Sequence, residues 1–183
     1  MACTRTYRPG FALLALLMAT ACTRSSPTAP SGVLPSATVA LDAATDRPFR
    51  GECQTQVAQI PEPPPGTCRV FEQTPAASYI EVTGTCQLTH LGRSTTHAVQ
   101  QLLATGLRNC AEFTAANGDV LRHVTTGTVV PGPQPGTVAF TGSLIFDGGT
   151  GRFAGASGSA AFDGTASLIT NTGHLAMEGR LGY

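Results

Sequence analysis

Hydrophobic and polar positions alternate with period two over several runs of this chain, the signature of strands with one buried and one solvated face. From Thr137 to Asp147, one side carries Val138, Phe140, Gly142, Leu144 and Phe146. The other carries Thr137, Ala139, Thr141, Ser143 and Asp147, with only Ile145 out of pattern. From Ser78 to His90, Ile80, Val82, Gly84, Cys86 and Leu88 share a face against Glu81, Thr83, Thr85, Gln87 and Thr89. Residues 161–170 and 174–181 are extended with less regular alternation. The segment from His90 continues as a strand, but Val99, Leu102 and Leu103 stand at helical spacing. With Ser94 or Thr95 as an N-cap and Gly106 as a C-cap, a helical turn in its second half stays open.

Turn chemistry separates these runs. Asn117-Gly118 favours a type I′ hairpin, in which both central residues take positive φ. Pro131-Gly-Pro-Gln-Pro-Gly136 is a breaker through which no strand continues. Asn171-Thr172-Gly173 suits a three-residue hairpin loop. Glycine also recurs inside the strands, in Val82-Thr-Gly-Thr85, Thr125-Thr-Gly-Thr128, Phe140-Thr-Gly-Ser143, Phe162-Asp-Gly-Thr165 and Met177-Glu-Gly-Arg180. Glycine at such places relieves crowding where a sheet curls to close on itself, which favours one antiparallel barrel over a flat sandwich. The fold class is therefore all-β.

The N-terminal segment has a different character. Arg5 and Arg8 precede an apolar run from Gly10 to Met18, too short to cross a hydrocarbon core of ~30 Å. Ala19-Thr20-Ala21-Cys22 follows, small residues before a cysteine in the manner of a lipoprotein cleavage site. On this reading residues 1–21 are a signal peptide, Cys22 carries the lipid, and the chain is held at a membrane on the exported side of the cell envelope. Several acyl chains anchor stably where one does not. Leu is usual where Ala19 stands, and a plainly secreted protein cut at the same bond is the alternative. Residues 22–45, rich in Ser, Pro, Thr and Ala, form a tether, and 46–183 the folded domain.

Cysteine usage agrees with export. Cys3 leaves with the signal peptide and Cys22 takes the lipid, so Cys53, Cys68, Cys86 and Cys110 remain as two disulfides in an oxidising compartment. Of the three pairings, the favoured one joins Cys53 to Cys68 across the Pro-rich excursion at residues 60–66, and Cys86 to Cys110 across neighbouring strands. No spacing suits a metal site.

Composition narrows the function classes. The chain has 183 residues, 42% of them hydrophobic and 12% charged. That is too apolar for a disordered chain and too sparsely charged for a nucleic-acid partner. All 11 cationic side chains are Arg, against 11 acids; loss of Arg5 and Arg8 leaves nine against eleven, a mature charge of −2.

Three phrases stand in order: Thr89-His-Leu-Gly-Arg93, Phe113-Thr-Ala-Ala-Asn-Gly-Asp119 and Gly148-Gly-Thr-Gly-Arg-Phe-Ala-Gly-Ala-Ser-Gly158. Together they resemble a group of uncharacterised secreted bacterial proteins. The last looks like the corresponding turn of allene oxide cyclases and plant dirigent proteins. The resemblance spans about residues 47–183, takes Arg47–Gly51 as a first strand, and implies an antiparallel barrel of about eight strands. It carries over no catalytic residue, because the matched glycines make a turn and do no chemistry.

The chemistry-bearing residues are sparse. The loop 148–158 lacks the Lys-Ser/Thr of a phosphate-binding loop; its Gly148, Gly149 and Gly151 read as supplying unusual φ values while Phe153 plugs one barrel end. His90, His97, His123 and His174 fit no nucleophile–base pattern and read as structural or surface residues, His90 at a barrel rim. Glu52, Glu81 and Glu178 read as outward and solvated, unless the polar face of the second run lines the lumen. No catalytic residue, metal or cofactor is assigned. The expectation is a non-catalytic binding or structural module, with Val138, Phe140, Leu144, Phe146 and Phe162 as candidate lumen residues for a small hydrophobic ligand. The alternative is a small isomerase or cyclase acting on a hydrophobic substrate in that lumen.

Overall fold

A computed structural model describes residues 45–73, 78–104 and 106–183. The expected signal peptide, Cys22 and nearly all of the expected tether lie outside the described residues. Eight strands follow one another as a meander: β1 (Arg47–Ile60), β2 (Ser78–Leu88), β3 (Gly92–Leu102), β4 (Gly106–Ala115), β5 (Val120–Pro131), β6 (Thr137–Gly149), β7 (Ser157–Ser167) and β8 (Thr172–Gly182). Each pairs antiparallel with the next, and β1 pairs with β8, so the sheet closes into a barrel. Closure removes both sheet edges, and eight strands leave an interior wide enough for one small molecule.

The apolar parity of β2 and β6 points inward, which settles the facing of Glu81. Glu81 is outside, where its Oε1 meets His97 Nε2 at 2.8 Å on the neighbouring strand. Glu52 and Glu178 are likewise outward, against His174 and Arg50. Ile145, the residue out of pattern in β6, is exposed.

Several local expectations are corrected. The helical turn left open for the second half of 96–106 does not form among the described residues: β3 runs to Leu102, because pairing to both β2 and β4 outweighs the local spacing of Val99 and Leu102. The Asn117-Gly118 turn is not type I′. Only Gly118 has positive φ, and its N–H donates to the Ala115 carbonyl, so Ala116-Asn117 make a type I turn closed by a left-handed Gly118. The β7–β8 connection is Leu168–Asn171, with Asn171 in the left-handed region, and Gly173 lies within β8. In the glycine-rich loop, Gly148 and Gly151 have positive φ but Gly149 does not. Gly149 is instead pressed against the Val120 backbone.

The disulfide pairing also differs. Cys53 bonds Cys86, and Cys68 bonds Cys110. Cys53 and Cys86 are opposite one another in the β1–β2 register, with Cα atoms 4.0 Å apart, and both point inward. The Pro-rich excursion that they flank favours Cys53 with Cys68, but Cys68 sits in the long β1–β2 connection, whose described residues fold back over the outside of β3 and β4. There it reaches Cys110, an outward residue of β4. The strap is held at a second point by Gln101, fully buried although it faces outward from β3. Its Oε1 accepts from the Glu72 N–H at 2.8 Å, and its Nε2 donates to the Glu72 carbonyl at 2.7 Å and to the Tyr79 hydroxyl at 3.2 Å. Arg108 pairs with the Glu72 carboxylate.

The two ends of the barrel are built differently. At the end bearing the β2–β3, β4–β5 and β6–β7 turns, Phe49, Phe146, Phe153, Leu121 and Leu181 fill the interior. Phe153 stands on a single 3₁₀ turn and meets the Tyr183 ring edge-on at 5.0 Å, so this end is plugged. The other end carries the β1–β2 strap, the β3–β4 and β5–β6 turns and Leu168–Asn171.

Candidate functional site

Above the aromatic plug the barrel encloses a cavity of about 670 Å³ that reaches the open end, where the exposed Leu168 forms part of its lining. That volume lies within the usual range of small-molecule sites. Of the candidate lumen residues, Val138, Phe140, Leu144 and Phe162 line the cavity. Phe146 does not; it packs edge-on against Phe49 at 4.8 Å within the plug below.

Two glycine–aromatic pairs shape the apolar wall. Phe162 on β7 is opposite Gly142 on β6, and Phe140 on β6 is opposite Gly164 on β7. A Cβ on Gly142 would come within 2.8 Å of Phe162 Cζ and 2.2 Å of the Thr126 carbonyl oxygen. The glycine thus lets the ring lie down on the sheet and keeps the lumen open. Leu175 and Met177 on β8 continue this wall.

The opposite wall carries a polar strip among apolar residues such as Leu107 and Val129. Gln100, Asn109 and Thr125 stand side by side on β3, β4 and β5, and His123 lies one step deeper. Asn109 Nδ2 donates to Gln100 Oε1 at 3.2 Å. His123 Nδ1 and Thr125 Oγ1 are 3.1 Å apart, and the imidazole stacks on Phe113 at 4.6 Å between centroids. Burial pushes the His123 pKa down from 6.5 to about 3, because desolvation penalises the imidazolium, so the ring is neutral near pH 7. His123 Nε2 and Asn109 Oδ1 are buried with no hydrogen-bond partner among the described residues. Such atoms normally find a partner, and leaving one unmade costs about 1–3 kcal/mol.

Sequence reading missed this polar strip. His123 was read as structural or surface, and Asn109 and Thr125 were not singled out. The strip is visible only once the register of three strands aligns them. A signal existed in the parity of β5, where Leu121, His123, Thr125, Gly127 and Val129 fall on one face. The bulge between Leu121 and His123 disturbs the pairing there. His90 lies in the β2–β3 turn with positive φ, its Nε2 at 2.9 Å from the Pro48 carbonyl oxygen. His97 and His174 are outside the lumen beside Glu81 and Glu52.

In comparison with known proteins, no family model matches the chain, and neither a curated protein nor a solved structure matches it. The antiparallel eight-stranded barrel is established by its own strand pairing. Its two disulfides are consistent with an oxidising, extracellular environment.

Proposed function

We propose that this protein is an exported bacterial lipoprotein whose barrel is a non-catalytic binding module for a small hydrophobic ligand. The observation that carries the reading is the cavity of about 670 Å³, lined by Val138, Phe140, Leu144 and Phe162 and by Asn109 and His123, which each keep an unpartnered polar atom buried in the wall. A barrel serving structure alone gains by filling its interior, since each void forfeits packing. Here the plug is packed and the upper half is open. Among the described lining residues, His123 is the side chain that titrates, and desolvation keeps it neutral. Catalysis by proton transfer usually enlists groups poised near the working pH, so this supports binding over the isomerase or cyclase reading. The lipobox-like Ala19-Thr-Ala-Cys22 supports attachment at Cys22, and the glycine phrase 148–158 supports kinship with allene oxide cyclase and dirigent barrels.

The test uses the uncharged fluorophore N-phenyl-1-naphthylamine with wild-type protein and with Ala98→Phe, which fills the lumen from β3. Enhanced, saturable fluorescence with wild type and its loss in the filled variant are expected. Equal fluorescence from both would contradict the reading.

A further inference from the structure

The two walls of the lumen differ in chemistry, and this specifies the ligand more narrowly than "hydrophobic". On β6–β8, Phe140, Leu144, Phe162, Leu175 and Met177 present carbon and sulfur, with Ser167 at the open end of β7 the one hydroxyl among the described lining residues of these strands. On β3–β5, Gln100, Asn109, Thr125 and His123 present hydrogen-bonding atoms at one side of the cavity. Asn109 spends its Nδ2 on Gln100 and leaves Oδ1 without a partner, set behind the cavity surface, where a ligand's donor reaches it once the side chain turns toward the lumen. His123 Nε2, also unpartnered, sits on the next inward level, where the Thr125 hydroxyl can complement either neutral tautomer of the ring.

Charge selects as strongly as hydrogen bonding. Among the described lining residues there is no Arg, Asp or Glu. The Arg side chains placed in ion pairs (Arg50, Arg69, Arg108, Arg152 and Arg180) meet acids elsewhere than in the lumen. A carboxylate or phosphate entering the cavity would lose its hydration and meet no cation among the described lining residues, which disfavours an ion in an apolar site. An uncharged donor group loses far less on entry and can satisfy the unpartnered Asn109 Oδ1 as that side chain turns toward it.

We infer that the lumen selects an uncharged molecule with an apolar ring body and a hydrogen-bond donor, the donor edge against Asn109 and His123 and the ring against Phe140 and Phe162. The inference rests on the binding reading above and adds to it the ligand's charge, its donor and its orientation. The body is flat because the apolar wall is built from two rings, 6.2 Å apart between centroids and tilted by 45°, each laid over a glycine of the neighbouring strand. Aromatic faces reward a flat partner beyond the area it buries.

Three probes of one shape separate the terms: 2-naphthol carries the donor, 2-methoxynaphthalene lacks it, and 2-naphthoate carries a charge. Calorimetric titration of the full chain at pH 7 is expected to rank naphthol first. The methoxy compound should bind about tenfold more weakly, the size of one buried hydrogen bond left unmade, and naphthoate more weakly still. In Asn109→Leu the preference for naphthol over its methyl ether should shrink to about twofold or less. The wild-type ranking decides the matter alone if that variant does not fold. Naphthoate binding as tightly as naphthol, or naphthol and methoxynaphthalene binding equally to wild type, would overturn the inference while leaving a binding lumen. If none of the three binds, the lumen reading itself fails and this inference with it.

Discussion

His123 lies flat against Phe113, ring centroids 4.6 Å apart and planes 28° from parallel, at the floor of the lumen where the aromatic plug begins. The pair marks the boundary between a barrel end packed as a core and one left open. It also places the one titratable side chain of the described lining where water cannot hydrate its charge.

That placement gives stability a pH dependence. The folded His123 pKa is about 3 against 6.5 in the unfolded chain. Between these values the unfolded state binds a proton that the folded state does not. Its neutral burial is therefore tolerated above pH 6.5, and stability falls as pH drops from 6.5 toward 3, by about 1.4 kcal/mol per pH unit from this group. Urea unfolding at pH 7.0 and 5.0 should show a loss of roughly 2 kcal/mol in wild type beyond that in His123→Gln. Parallel pH profiles for the two proteins would show that His123 is not desolvated as described.

The Cys68–Cys110 bond fastens the strap to the outside, whereas Cys53–Cys86 lies within the wall. Peptide mapping without reduction should recover these two pairs and neither Cys53–Cys68 nor Cys86–Cys110. With its cysteines 42 positions apart in the sequence, loss of the strap bond in Cys68→Ser/Cys110→Ser should cost about 4 kcal/mol in the chain-entropy picture. Cleavage by protease should then begin in the β1–β2 connection.

Gln101 is the strap's other fastening. Gln101→Leu keeps the volume but strands the Glu72 N–H and carbonyl, and should destabilise by about 1–3 kcal/mol. Limited proteolysis should again open the β1–β2 connection first, with the rest of the barrel resistant. Unchanged resistance in that connection would mean that the disulfide alone holds it.

Gly142 tests how the lumen is kept open. Gly142→Ala drives a methyl group toward the Thr126 carbonyl and the Phe162 ring. It should cost about 1–3 kcal/mol by overpacking, read as a lowered urea midpoint at unchanged slope. It should also weaken N-phenyl-1-naphthylamine binding, because Phe162 must turn into the cavity. A neutral effect on both would separate the glycine from lumen shape.

Much of the fold was legible from one strand face at a time. The alternation in 137–147 and 78–90 identifies inward residues because a barrel wall, like any one-sided sheet, buries a single parity. The recurrent glycines point to closure because they sit where neighbouring rings and backbones crowd the inside of a curled sheet. What was not legible depends on three-dimensional register. The disulfide partners follow from Cys53 lying opposite Cys86, and from a strap that doubles back to Cys110; spacing along the chain carries neither fact. The Asn117-Gly118 turn failed for a subtler reason, since a type I turn with a left-handed Gly118 satisfies the same dipeptide. The polar strip needed Gln100, Asn109 and Thr125 to be aligned across three strands, and His123 alone looked like any other histidine.

Lipidation at Cys22 has its own direct check. Cys22→Ser should release the protein from the membrane fraction into the soluble one, with the barrel's disulfides and unfolding midpoint unchanged. Continued membrane attachment of that variant would refute the lipid anchor.

The central claim is that the lumen holds a ligand, and the most direct measurement is native mass spectrometry of protein purified from its own host. The account predicts a single, discrete mass increment at near-stoichiometric occupancy, released on unfolding as an uncharged small molecule and absent from Ala98→Phe. Bare protein mass alone, with wild-type lumen and filled variant indistinguishable, would contradict it.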